Sequence, residues 1–175
     1  MTCRMPTYVE VIGESFPSCS VRAIGLGDNY NDLIYVSGDS IPSKVTLDLL
    51  ILEKVKELKK EKVNDYRDEY LFDRFIYDGK RWDCDSTSRS NISGTITLGM
   101  LNGQQLIPGM TWRDYDNQNW PVDYIYLVNM VLTLAAFTNS VYNASWQHKA
   151  TIDALGSIQA VIDYEYDTGW PSKDL

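Results

Sequence analysis

A single histidine, His148, limits the acid–base and metal chemistry open to this 175-residue chain. A Ser–His–Asp relay or a Cys–His pair would have to use it. It lies in Trp146-Gln147-His148-Lys149, a stretch of helical character, and no Gly-x-Ser-x-Gly elbow occurs in the chain. A packed or surface histidine is the expectation. The three cysteines, Cys3, Cys19 and Cys84, are odd in number and form no Cys-x-x-Cys pair. Reduced thiols follow, not a disulfide framework. Asp83 with Asp85, and Asp114 with Asp116, each offer two carboxylates. Neither pair continues with the glycine and distal glutamate of a calcium loop. Asp28, Asn29, Asn31 and Asp32 are equally rich in oxygen, but turn formation explains all three clusters. Gly25-Leu26-Gly27 lacks the third glycine of a dinucleotide fingerprint, and there is no phosphate-cradling loop. Paired carboxylates for glycoside hydrolysis stay open, because their separation in space decides that chemistry. No catalytic, cofactor-binding or metal-ligating residue is assigned. No cofactor is expected, and the chain is read as a non-enzyme.

The totals point the same way. Lys and Arg number 16 against 24 Asp and Glu, a net charge of −8 that disfavours nucleic acid as a partner. The densest basic run, Lys54 to Lys62, is interleaved with Glu57 and Glu61 and reads as a solvated helix face. Twelve Tyr and five Trp exceed what a core needs and hint at partner surfaces. Residues 1–20 contain no continuous apolar core, so no secretory signal is expected. With no secreted eukaryotic context, the triplets Asn91-Ile92-Ser93 and Asn143-Ala144-Ser145 are not read as glycosylation sites. The apolar run Tyr124 to Phe137 is shorter than the roughly 20 residues of a membrane span. It reads as a buried helix, and no membrane insertion is expected.

The elements that would carry these residues follow from pattern. Residues 1–43 read as three short strands, within Tyr8–Ile12, Ser20–Ile24 and Asp32–Val36, separated by Gly, Pro and Asn/Asp turns. Residues 43–70 read as one long helix capped by Ser43, with Leu47, Ile51, Val55 and Leu58 on one face and then Val63, Tyr66 and Tyr70. It serves either as a helix packed on its own domain or as a self-association element. Asp78-Gly79 predicts a hairpin turn, with Tyr77 and Trp82 packing across its arms. Ser86 to Leu101 predicts a helix capped by Asp85 or Ser86, weakened by Gly94 and Gly99. Trp112 and Trp120 flank a second turn at Asp116-Asn117. Residues 121–155 predict the core helix, with Pro121 in its first position and Val122, Ile125, Tyr126, Met130, Leu134, Phe137 and Val141 as its buried stripe. Ile158 to Tyr166 fits helix or strand. The expected class is α+β: short N-terminal strands, a long spacer helix, then two small hairpins packed on a long apolar core helix. The expected segments are a β-rich attachment region (1–43), the long helix (44–70) and an α+β domain (71–175).

From about Tyr70 to Leu155 the chain resembles an uncharacterised domain found in bacteriophage tail and tail-fibre-associated proteins. The residues that carry the resemblance begin with Phe75-Ile76-Tyr77-Asp78-Gly79-Lys80-Arg81-Trp82-Asp83-Cys84-Asp85 and Ser90-Asn91-Ile92-Ser93-Gly94. Trp112, Asp116-Asn117, Pro121-Val122, the apolar helix through His148-Lys149, and Thr168-Gly169-Trp170-Pro171 complete them. The resemblance implies a structural part of a tailed-phage virion (tail, baseplate, fibre or adaptor), made in the bacterial host cytoplasm. It implies other tail or fibre proteins as partners, and a homo-oligomer. It supplies no catalytic residues. Two alternatives stand beside it: a tail-fibre assembly chaperone absent from the mature particle, and a carbohydrate-binding or carbohydrate-active tail-tip module. Clustered exposed Trp facing two carboxylates would favour the last.

Overall fold

The computed structural model describes residues 5–23 and 26–175; Cys3, Ile24 and Gly25, on which some expectations fall, lie outside them. In chain order the elements are α1 (Tyr8–Ser15), β1 (Cys19–Ala23), β2 (Leu33–Gly38), α2 (Lys44–Phe72), β3 (Arg74–Tyr77), β4 (Lys80–Asp83), α3 (Ser86–Leu101), β5 (Thr111–Arg113), β6 (Asn119–Pro121), α4 (Tyr124–Ala154) and α5 (Ile158–Asp163). The strands pair as β1–β2, β3–β4 and β5–β6, three separate antiparallel hairpins. The class is α+β, as expected. The chain groups into two compact units, Met1–Lys62 with Lys149–Glu165 and Val63–His148 with Tyr166–Leu175. The segments expected at 1–43, 44–70 and 71–175 are continuous stretches, whereas both units are discontinuous.

In the first unit, Tyr8–Ile12 is helix and not strand. Thr7 and Glu10 form a capping box: the Glu10 N–H donates to Thr7 Oγ1 (3.3 Å), and the Thr7 N–H donates to Glu10 Oε2 (2.8 Å). Two N–H groups that a helix start leaves unpaired are satisfied reciprocally, and this outweighs the β-prone valines. Val11 and Ile12 are thereby buried with Leu47, Ile51, Val55, Ile152 and Val161. The α2 residues expected on one face therefore pack within their own chain. Ser43 caps α2 as expected, its Oγ accepting from the Thr46 N–H (3.2 Å). The lysine run is more than a solvated face. Lys56, itself buried, donates to the Asp153 carbonyl (3.0 Å), and Lys59 donates to the Ile162 carbonyl (2.8 Å). These carbonyls lie in the last turns of α4 and α5, where intrahelical donors run out and positive charge is favoured. Residues 158–163 are helix, with the Ser157 hydroxyl accepting from the Ala160 N–H (3.2 Å).

In the second unit the Asp78-Gly79 turn is present, both residues having positive φ (53° and 67°), the geometry of a two-residue type I′ hairpin. The register sets Phe75 opposite Trp82, and Tyr77 opposite Lys80. The expected Tyr77–Trp82 pairing is thus corrected to a diagonal one: the Trp82 indole N–H donates to the Tyr77 carbonyl (3.1 Å), and both rings contact Tyr126. Trp82 and Phe75 are fully enclosed with Leu71, Cys84, Ile92, Leu127, Met130, Leu134 and Phe137. Trp112 does pair with Trp120 across β5 and β6. Pro121 closes β6 and does not begin the helix; Asp123 precedes α4 and accepts from the Tyr126 N–H (2.7 Å). Residues 173–175 run along the edge of β3, where the Ile76 N–H donates to Lys173 O and the Leu175 N–H to Ile76 O, each 2.8 Å. Gly99 is not a weak point of α3: a Cβ there would stand 2.7 Å from the Tyr124 ring and 2.9 Å from Leu106. Its bare Cα lets α3 approach the start of α4 closely.

Candidate functional site

Most of the second unit's side chains with reactive groups are engaged in holding that unit together. His148 stacks on Trp170 with ring centroids 5.2 Å apart. Trp170 also lies 5.3 Å from Tyr66 and 5.7 Å from Tyr70, and its indole donates to Tyr166 O (2.7 Å). The Tyr70 hydroxyl donates to Pro171 O (2.7 Å), and burial raises its pKa. Asp85 caps α3, accepting from the Thr87 and Ser88 N–H groups (2.8 and 2.9 Å). Asp83 is exposed and faces Arg74 across the β3–β4 hairpin. Asp114 accepts from the Gln118 N–H (2.8 Å) and the Trp120 indole (2.7 Å). Its partial burial works against the charge, but these donors win and hold its pKa below the ordinary aspartate range. Asp116 pairs through two oxygens with Arg81.

Of the remaining candidates, Asn29 accepts from the Asn31 N–H (3.0 Å), a local turn bond. Cys19 and Cys84 are buried free thiols, and burial pushes the Cys84 pKa up although Arg89 donates to its sulfur (3.0 Å). Among the described residues no group of three or more His, Cys, Asp or Glu is arranged to hold a metal. The exposed tryptophans do not form one platform: Trp120 belongs to the β5–β6 hairpin, and Trp146 sits beside Tyr142 on α4.

A surface stands out instead. From Tyr124 to His148, α4 carries no Asp, Glu, Lys or Arg. Its buried positions, Leu127, Met130, Leu134, Phe137, Val141 and Ala144, recur at alternating intervals of three and four, so one face meets the core. The opposite face runs Ile125, Val128, Leu132, Ala135, Ala136, Asn139, Asn143, Trp146. Ile125 is 56% exposed, Leu132 63% and Trp146 57%. Ile125 was expected in the core stripe, whereas Leu127, outside that stripe, is fully buried. The helix is apolar nearly all round, so periodicity cannot set its rotation. By length and composition alone it is also long and apolar enough to cross a membrane.

Beside this face lies an apolar groove of about 440 Å³, lined by Ile92 and Ser93 of α3 and by Val131, Leu134, Ala135 and Thr138 of α4. Two hydroxyls on or near the outer face are already satisfied within the helix. Thr133 donates to Asn129 O (2.9 Å) and Ser140 to Ala136 O (3.1 Å), so covering them would strand no donor. Arg67 braces the end of the groove, its guanidinium 5.0 Å from the centre of the Tyr142 ring. Such a surface can exclude water and pack against another chain; it has no group placed to transfer a proton or attack a substrate.

Fold and site together define an α+β domain with a long, charge-free helix face. The chain belongs to the family of the domain of unknown function DUF4376, which matches residues 54–167. That span contains the whole second half of α2, all of α3 and α4, and the segment Tyr70–Leu155. No curated protein matches the chain, and no solved structure does.

Proposed function

We propose that this chain is a non-enzymatic structural subunit of a tailed-phage virion that docks other proteins through the outer face of α4. One observation carries the docking half: in a chain with net charge −8, the α4 stretch from Tyr124 to His148 exposes Ile125, Leu132 and Trp146 on a face without a single ionised side chain. Solvent-facing helix surfaces ordinarily carry charge, and an extended uncharged one is suited to burial against a partner. The phage half rests on the resemblance of Tyr70–Leu155, with its aromatic hairpins, to tail-associated domains.

Mass spectrometry of purified, washed virions from the phage that encodes the chain tests the proposal. A copy number comparable to that of tail proteins is the expected result. Absence from particles despite strong expression during infection would overturn it and favour the assembly-chaperone reading.

A further inference from the structure

We infer that the occupant of the α4 face is a second copy of this chain, packed antiparallel about a two-fold axis between Ala135 and Ala136. The inference rests on the docking reading above and names its partner. The order of residues along the face supplies the first argument. Reversing the helix about that axis sets Ala135 against Ala136, Leu132 against Asn139, and Ile125 against Trp146 of the second copy. The smallest side chains then meet at the centre, where two helices approach most closely, and the bulky ones meet at the two ends. A closed two-fold pair needs one patch that complements itself, and this face is one. Leu132 of each copy would lie next to Asn139 of the other, at the lip of the groove lined by Ala135 and Thr138.

Charge supplies the second argument. A chain of net charge −8 repels its own copy, and like charges set directly across an interface cost several kcal/mol. The centre of a self-interface must therefore lack carboxylates, and from Tyr124 to His148 there are none. A lipid surface fits less well. Helices that lie on membranes flank their apolar face with Lys and Arg that reach the headgroups, and the whole stretch from Tyr124 to His148 has neither. Asn129, Asn139 and Asn143 would lose their hydrogen bonds in hydrocarbon, whereas the wet rim of a narrow protein interface lets their amides keep water. The strip from Ile125 to Trp146 is roughly 33 Å long at the rise of an α-helix. One helix face is smaller than a standard interface, so the pair is expected to be reversible and dependent on concentration.

Sedimentation equilibrium of the full chain over a range of concentrations tests this. The wild type should show a monomer–dimer equilibrium. Ala136→Glu, at an exposed position, should keep its circular dichroism melt and weaken the dimer by about 10-fold or more. Mixing Ala136→Glu with Ala136→Lys should restore pairing that neither variant shows alone. Mixing Ile125→Lys with Trp146→Glu should do the same, and only if the helices run antiparallel. A wild type that stays monomeric throughout, an Ala136→Glu chain that dimerises as before, or mixtures that fail to pair would each overturn the proposal. So would flotation of a monomeric wild type on phosphatidylcholine–phosphatidylglycerol vesicles. Failure here is separable from failure of the virion reading: a dimer missing from particles overturns only the latter, and a monomer present in them only the former.

Discussion

Asp73 and Lys173 illustrate how much of this molecule's chemistry is spent on its own chain. Lys173 Nζ lies 2.9 Å from the Asp73 carboxylate and 4.3 Å from the centre of the Tyr70 ring, joining residues 166–175 to the end of α2. The lysine holds the Asp73 pKa below its ordinary value, although partial burial opposes this. A carboxylate whose folded pKa is depressed contributes stability above its unfolded value, about 3.9, and loses it as pH falls through the lowered one. Asp73→Asn should therefore lower the melting temperature at pH 7, and the deficit should vanish under acid conditions that protonate Asp73 in both states; thermal melts at the two pH values check this. Trp82 is a different case, since it is 1% exposed and its indole is hydrogen-bonded. Trp82→Ala should cost about 3–5 kcal/mol by urea titration, because a cavity adds to the lost transfer energy. Both roles exceed what spacing could announce. The sequence marks Trp82 as aromatic beside a turn, but only the register of β3 and β4 decides that it meets Phe75 and not Tyr77.

Among the elements, α2, α3 and the hairpins β3–β4 and β5–β6 were legible because their signals are local: a Ser or Asp cap, an Asp-Gly or Asp-Asn turn, aromatics on either side. The α1 helix was hidden by a competition between two local signals. Its valines and isoleucine suggest a strand, and only the Thr7/Glu10 spacing reveals the helix start. Thr7→Ala should cost about 1 kcal/mol, measured by chemical denaturation, because the Glu10 N–H loses its acceptor. At Gly99 two effects oppose. Alanine would gain about 1 kcal/mol of helix propensity, but its Cβ would overlap the Tyr124 ring, and overpacking costs about 1–3 kcal/mol. A net loss of about 1 kcal/mol is expected for Gly99→Ala by urea titration. The rotation of α4 is the element-scale feature that pattern could not reach. A helix with apolar residues on both sides gives no phase, so the exposed face became visible only once Leu127 and Met130 were seen inside.

Over the whole molecule, the α+β class was readable from the pattern of residues, while the grouping into two discontinuous units was not. Contacts between residues a hundred positions apart, such as Lys59 with Ile162 or Tyr70 with Pro171, leave no mark in a linear pattern. These long-range contacts also make the closing segment structural. Deleting residues 166–175 would remove Trp170 from His148, Tyr66 and Tyr70 and bare the hydrogen-bonding edge of β3. An open strand edge promotes association with other chains. The shortened protein should melt at lower temperature and scatter light on warming, which calorimetry and static light scattering would register.

The discontinuity has a consequence for biosynthesis. The first unit takes its final residues from 149–165 and the second from 166–175, so neither can be completed by a nascent chain that has emerged only as far as α4. Domains released from the ribosome one after another fold one after another. Here the first unit cannot close before residues 149–165 have emerged, nor the second before residues 166–175. A chain that stops anywhere before residue 149 would contain neither unit complete, an evident substrate for the proteases that clear incomplete proteins.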